Sequence, residues 1–566
     1  MSKLDWSILL GTIVFITLYG IWKTRGIRDI EGYLRSDNSE KWWTICLSVM
    51  ATQASAITFL STPGQAYEDG MRFLQFYFGL PIAMVIISIS FIPIFYRLKV
   101  YTAYEFLENR FDLKTRSLAA FLFLVQRGLA SGITIYAPAI ILSSILSWNI
   151  NATILLIGVS VIIYTVMGGA RAVSVTQKQQ MAVMMGGMLV TGLMVVYSLP
   201  PEISFYDAVQ VAGKMDKLNL ISFSFDWNDR YNVWSGVTGG LFLFMSYFGT
   251  DQSQVARYLS GRSITESRLG LLFNGLLKIP MQFIILFIGV MVFVFYQFVQ
   301  PPIFFNKVEK EKLYETPYAS DLIQLEAEHN VYFKEKTQVV KELVRGIQYD
   351  DEQAIAEAQT NLNTIEAEGK AIRTKVKSLF QRANAKAEVK DTDYVFISFV
   401  MQYMPTGIIG LLLAVIFCAS MSSTASELNA LASTSLIDIY KRSVRPVGSD
   451  AHYLSASKLL TVLWGVFAIV FATLASRLDN LIQAVNILGS LFYGTILGIF
   501  VVAFYLKSIK ANAVFWAAVL AEALVIFIYV VSDIGFLWLN PIGCLFVIFL
   551  GYFFQSVLPV STKKSR

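Results

Sequence analysis

Apolar runs of about twenty residues recur along this chain, and they leave few folds open to it. The hydrocarbon core of a bilayer takes about 20 apolar residues as helix. Backbone inside it must satisfy its own hydrogen bonds, so only helices and closed barrels cross. Thirteen candidate helices lie near 5–22, 43–63, 73–97, 117–147, 152–168, 179–199, 233–252, 269–299, 405–438, 456–476, 480–505, 512–531 and 535–556. Of the 566 residues, 55% are apolar and only 15% charged, where soluble chains carry about 25% charge. The sequence therefore predicts an all-α polytopic membrane protein.

The loops set its orientation. KTRGIR, FYRLKV with FDLKTR, GGARAVSVTQK, ARYLSGR, KRSVR, LKSIK and STKKSR alternate with PGQAYEDG, SWNIN, SRLDN and VSDIG, which are poor in Lys and Arg. Basic loops face the cytoplasm, so the N-terminus is expected outside and the C-terminus inside. The first run has its basic flank (Lys23, Arg25, Arg28) after it rather than before it, which favours a retained helix over a cleaved signal. Asn151-Ala152-Thr153 matches a glycosylation sequon but hugs the membrane, and is read as a chance match. The net charge of +6 is spread over short loops, which excludes a nucleic-acid surface. Cys46, Cys418 and Cys544 all lie in apolar stretches, with spacing that fits neither disulfides nor zinc. With only two histidines, His329 and His452, no HExxH motif and no paired carboxylates expected at the midplane, the chain is not read as an enzyme.

One stretch differs. From Pro301 to Lys390, 29 of 90 residues are charged, in nearly balanced sign. Ala, Glu and Lys at helical spacing predict one or two amphipathic helices, or a helical hairpin. By topology the insert faces outside, either as a solvated cap or as a docking surface for an extracytoplasmic protein partner or a lid over the solute path.

Two spans carry small and polar residues where a helix can break: AlaThrGlnAlaSerAla at 51–56, and 246–252 with Ser246, Gly249, Thr250 and Asp251. Each opens a set of five spans, and five is odd, so the second set is inverted relative to the first. Interrupted helices in corresponding places of inverted halves point to a midplane transport site; small-residue helix packing is the other reading. The ninth span adds adjacent hydroxyls at Ser420 and 422–424. Freed carbonyls facing two such hydroxyls would give about five neutral oxygens, a set suited to sodium.

The motifs WWxxxLSxMATQASAITFLSTPGQAY (42–67), FYRLKVYTAYEFLENRF (95–111), IYAPA (135–139), YTVMGGARAV (164–173), FGTDQSQVARYL (248–259) and SMSSTASELNALAS (420–433) are similar to those of the sodium/solute symporters, whose members carry glucose, proline, sialic acid, iodide or vitamins. The resemblance covers nearly all of the chain except the insert. It implies the inverted five-helix repeat fold, sodium as coupling ion, a small-molecule solute, and a place in the plasma (inner) membrane. It places sodium at the carbonyls of Ala51, Ala54 and Ala419 and the hydroxyls of Ser422 and Ser423. It places the solute against Gln53, Ser55, Thr58, Tyr77, Arg127, Tyr247, Lys278 and Gln483. Thr58 and Tyr77 stand where sugar carriers have polar contacts, and Val175-Thr176-Gln177-Lys178 stands where most members have an aspartate.

Charges at the midplane are costly and usually functional. Arg127, some 15 Å of helix into the fourth span, resembles the arginine with which sialic acid carriers hold a carboxylate. It is expected to select an acidic sugar or other carboxylate, the alternative being internal pairing with Asp251, Glu522 or carbonyls. A neutral sugar or vitamin symporter, and a non-transporting sensor or scaffold, are the competing functions. The expected organisation is an extra helix and loop (1–41), a first repeat (42–199), the outer loop and start of a second (200–299), the insert (300–392), the rest of the second repeat (393–506), and two final helices with a basic tail (507–566).

Overall fold

The computed structural model describes residues 1–23, 39–98, 100–146, 148–384, 389, 391–474 and 481–558. The loop KTRGIR beyond Lys23, all of SRLDN and the tail STKKSR lie outside the described residues. Among those described, all regular structure is helical apart from one isolated bridge pairing Glu40 with Gly261. The principal helices are α1 (Lys3–Lys23), α2 (Trp42–Gln53), α3 (Ala56–Asp69), α4 (Leu80–Leu98), α5 (Leu113–Leu146), α6 (Ile150–Tyr197), α7 (Gly240–Gly249), α8 (Gln252–Tyr258), α9 (Ile264–Phe298), α10 (Ala319–Gln348), α11 (Glu352–Ala383), α12 (Ile408–Thr434), α13 (Asp450–Ala472), α14 (Leu481–Tyr505), α15 (Ala511–Val531) and α16 (Leu539–Val557).

Ten continuous segments among the described residues are long and apolar enough to cross a membrane, against thirteen runs in the sequence. The difference has local causes. Residues 56–98 run on through a 3-10 turn, joining the end of the second run to the third. α6 holds the fifth and sixth runs: at 48 residues it would span roughly 72 Å, and Gly169 (φ 56, ψ −166) interrupts it at a kink. The seventh run is a π-helical turn (Ser235–Gly239) followed by α7, and it ends at a break after Gly249, with α8 beyond, so no single helix there is long enough to cross.

α12 is the hub. It is buried on nearly every side and packs against α6, α1, α5, α13, α2 and α3, as expected of a helix apolar all round. The peripheral helices bury one face. α13 turns Leu459, Leu463 and Val470 outward, and α15 turns out Phe527 and Val530, which suits a lipid surround.

The insert is a helical hairpin. α10 and α11 turn at Tyr349–Asp351, where Asp350 takes φ 55 and Asp351 caps α11 by accepting from the backbone N–H groups of Gln353 (3.1 Å) and Ala354 (3.0 Å). Val340 and Leu343 pack against Ile355, Ala358 and Leu362 near the turn. Leu322 and Leu325 pack against Val376 and Leu379 at the base. The hairpin rests on the bundle. Gln359 donates to the Lys214 carbonyl at 2.7 Å, Thr337 to that of Gln297 at 3.4 Å, and Arg373 holds both oxygens of Asp391 at 2.8 Å.

Candidate functional site

The second run breaks between α2 and α3. The Ser55 N–H donates to the Gln53 carbonyl (3.1 Å), and the Thr58 N–H to that of Ser55 (3.0 Å). Regular helix would send these two N–H groups to Ala51 and Ala54. Those two carbonyls are thereby released. The Ser422 hydroxyl, on α12, lies 3.0 Å from the Ala51 carbonyl. The Ser423 hydroxyl donates to the Ala419 carbonyl at 2.9 Å. Ala51, Ala54, Ala419, Ser422 and Ser423 are all buried at the junction of the broken helix with α12. The five candidate atoms are neutral oxygens, of the hard type a sodium ion takes.

Gln177, on α6, closes the back of this junction. Its amide nitrogen lies within hydrogen-bond distance of the hydroxyls of Thr52 (2.9 Å), Ser426 (3.0 Å) and Ser422 (3.2 Å), and its oxygen accepts from Ser48. A neutral amide thus ties α2, α6 and α12 together.

Beside this junction, between the broken helix, α5, α7, α12 and α14, lies a cavity of about 100 Å³, small beside typical ligand pockets of roughly 300–1,000 Å³. Gln53, Ser55, Thr58, Tyr77, Arg127 and Tyr247 line it, and so does Ser423. The remaining two expected solute contacts do not. Gln483 accepts from Arg230 (2.7 Å) and donates to Gln65 (3.4 Å). Ile482, Val485, Asn486 and Gly489 line the cavity instead; their spacing is one helical face, and Gln483 lies off it. Lys278 is wholly buried on α9, which packs against α2, α3 and α4 and contributes no wall residue. Among the described residues its Nζ has no hydrogen-bond partner, nor do Asn274 Oδ1 and both amide atoms of Gln282 one turn to either side.

Arg127 is paired internally. Its guanidinium binds Asp251, Glu427 at 3.1 Å and the Tyr493 hydroxyl at 2.7 Å, with its Cζ 5.3 Å from the Tyr247 ring centre. The expected absence of paired carboxylates is thus corrected: Asp251, at the break between α7 and α8, and Glu427, one turn after Ser423, converge on one arginine. Glu522 is not among these partners. The sequence did carry the signal, since Glu427 sits in SMSSTASELNALAS, but nothing in it shows that α5, α8 and α12 meet. Asp251 caps α8 with its other oxygen, accepting from the Ser253 N–H (2.9 Å) and hydroxyl (2.6 Å). Thr134 donates to Glu427 at 2.9 Å.

A larger groove of about 730 Å³ lies between α1, α6 and α12. Its walls are apolar, and exposed Leu10, Leu156 and Met167 lie along it, so it belongs to the lipid-facing surface rather than to this site.

Two broken helices thus meet a hydroxyl-rich hub around a charged cavity. The sequence profile of the sodium:solute symporter family matches residues 33–307 and 374–521, and the chain belongs to that family. The chain is 32% identical over 300 residues to the human sodium/iodide cotransporter, covering 52% of this chain and 45% of that protein. It is 25% identical over 557 residues to a sodium/sialic acid symporter of Aliivibrio fischeri, covering 96% and 92%. It spans less than half the length of the first curated relatives it matches. The solved structure of a Na+-coupled sialic acid symporter, substrate-bound and outward-open, superposes with a TM-score of 0.76 at 22% identity, over 99% of this chain and 98% of that one. That likeness establishes the fold. The profile leaves out 308–373, most of the helical hairpin.

Proposed function

We propose that this protein is a sodium-coupled symporter of the plasma membrane that imports a small organic anion, such as an acidic sugar or another carboxylate, by alternating access and without an enzymatic step. The observation that carries this reading is the pairing of the released Ala51 carbonyl with the Ser422 hydroxyl. Sodium inserted there would exchange that hydrogen bond for ion–oxygen contacts from both partners, drawing the broken helix onto α12. The solute would bind on the cavity side, against Gln53, Ser55, Thr58 and Tyr247. Lys278 and Gln483 stand outside that wall and are not assigned to the solute.

Sodium drives transport only through the free energy with which its binding favours one arrangement over the other, typically about 1–3 kcal/mol. Release would follow when the two helices separate and the oxygen shell opens. The anionic solute is supported by the carriers of sialic acid, iodide and monocarboxylates among the relatives. We read the hairpin at 300–392 as a cap on the outer ends of the bundle, since it is held there at Lys214, Gln297 and Asp391; its exposed faces are the place for an extracytoplasmic partner.

The test is the double variant Ser422→Ala/Ser423→Ala in proteoliposomes. It should fold, by gel filtration and circular dichroism, and take up solute without stimulation by sodium. Sodium-dependent uptake in the double variant rejects the site.

A further inference from the structure

We propose that the stretch 219–234, on the hairpin side of the bundle, is a membrane-interface anchor, its aromatic ridge set among the phospholipid headgroups and upper acyl chains of the leaflet on that side. The inference goes beyond the symport reading and does not depend on it.

The ridge is apolar, exposed and held in place. Ile221, Phe223, Phe225 and Trp227 stand at alternate positions, and all four are exposed, Phe223 at 71%. Trp234 is exposed as well, and its indole N–H donates to the Phe223 carbonyl at 3.0 Å. The backbone is pinned on both sides. The Ser222 N–H donates to the Gln75 side chain (2.9 Å), the Val233 N–H to the Ser222 carbonyl (3.0 Å), and the Gly535 N–H to the Trp227 carbonyl (2.8 Å). These bonds fix the stretch while leaving its large apolar side chains uncovered. A cluster of that kind marks an interaction surface.

Two physical limits name the occupant. Residues 219–226 lie outside any helix, and irregular backbone facing lipid cannot enter the hydrocarbon core, where its polar groups find no partners. Exposed Asp226 and Asn228 on the same stretch also require water. The rings, by contrast, gain by leaving water. The headgroup level satisfies both demands, and aromatic side chains concentrate there for that reason.

Continuity with the lipid-facing surface sets the ridge at that level. Phe527, Val530 and Val531, at the end of α15, are exposed. A few residues on, Gly535 bonds Trp227, and the rings of Phe225 and Trp227 lie 6.0 and 4.7 Å from that of Trp538. The ridge thus extends the lipid face of α15 past its last turn. The inner side of the stretch meets the cavity wall. The Tyr231 carbonyl accepts from Gln75 at 2.8 Å, and the Tyr231 ring lies 5.1 Å from that of Phe73. Phe76 and Tyr77, on the same 3-10 turn as Gln75, line the cavity. Lipid seated on the ridge therefore bears on the turn that walls the solute site.

The experiment is spin-label resonance on the full chain in phospholipid nanodiscs. Cys46, Cys418 and Cys544 are buried, so the label reports an introduced thiol. Phe223→Cys and Phe225→Cys carry it on the ridge, and Thr364→Cys carries it on the exposed face of α11. Oxygen partitions into lipid and a nickel chelate stays in water. We expect the ratio of oxygen to nickel collisions to be several-fold higher at 223 and 225 than at 364. A ratio at both positions no higher than at 364 places the ridge in water and overturns the proposal. A label shielded from both reagents, with spin–spin broadening, puts a second copy of the chain on the ridge and overturns it too. Lipids brominated near the top of the acyl chains give a second reading without a new cysteine, should the ridge variants not fold. They should quench a larger fraction of tryptophan emission in the wild type than in Trp227→Phe/Trp234→Phe, and equal quenched fractions overturn the proposal.

Discussion

The Ser422 hydroxyl meets the Ala51 carbonyl at 3.0 Å across the junction of α12 and the broken second helix. That carbonyl is available because the Ser55 N–H turns to Gln53. A hydrogen bond to a charged group contributes roughly 1.5–3 kcal/mol, and an ion contact replacing it is of similar rank. Ser422→Ala alone should therefore raise the sodium concentration for half-maximal uptake by about tenfold or more, with the solute affinity at saturating sodium little changed. Sodium titration of uptake in proteoliposomes measures this.

Gln177 bridges Ser48, Thr52, Ser422 and Ser426 with one amide. Replacing it by leucine takes the acceptor from the Ser48 hydroxyl and the amide donor from Thr52, Ser422 and Ser426, which keep their bonds to backbone carbonyls; an unsatisfied buried group costs about 1–3 kcal/mol. Gln177→Leu should lower the thermal unfolding midpoint in detergent, and sodium should restore less of that stability than in the wild type. An unchanged midpoint would show that the amide does not hold these helices together.

Arg127 is the shared partner of two buried carboxylates. Removing one member of a buried ion pair costs roughly 3–5 kcal/mol, so Arg127→Ala should be strongly destabilised. Arg127→Ala/Glu427→Gln, which removes a charge of each sign, should recover part of the loss. Uptake competition in the folded fraction tests selectivity: acidic solutes should lose more than neutral ones, and equal transport of both rejects a role for Arg127 in anion selection.

His329 is 5% exposed at the base of the hairpin. Burial, then the positive charges of Arg373 and Lys336, pushes its pKa down from 6.5 to about 4. Between these values the unfolded hairpin binds a proton that the folded one does not, so hairpin stability is full above pH 6.5 and falls as the pH drops toward 4. Hydrogen-exchange protection across 319–383, corrected for the intrinsic exchange rate at each pH, should be lower at pH 4.5 than at pH 7. His329→Gln should remove that acid sensitivity, and a variant as acid-sensitive as the wild type would point to another group.

Gly289, on α9, faces the Pro63 backbone on α3 so closely that an added Cβ would collide with the Pro63 carbonyl. Backbone cannot yield as a flexible side chain does. Gly289→Ala should cost about 1–3 kcal/mol, as overpacking does, read as a lower unfolding midpoint. Gly186→Ala, at a position with open space, is the control.

The amino-acid sequence by itself determined the membrane setting, the helical class, the two places where helices break, and the hydroxyl run on α12. These are local properties, since apolar length, Gly and Ser content and motif spacing are written along the chain, and bilayer physics narrows the rest. It also carried the hairpin at 300–392, because amphipathic periodicity survives without neighbours. Tertiary structure decided which polar groups meet. Arg127, Asp251 and Glu427 lie on three helices far apart in the chain, and only packing shows that one guanidinium serves both carboxylates. Gln177 joins α2 and α12 only because α6 folds back at Gly169. Gln483 and Lys278 fell outside the cavity for the same reason: a residue's position along a helix fixes its face, but the bundle decides what that face meets.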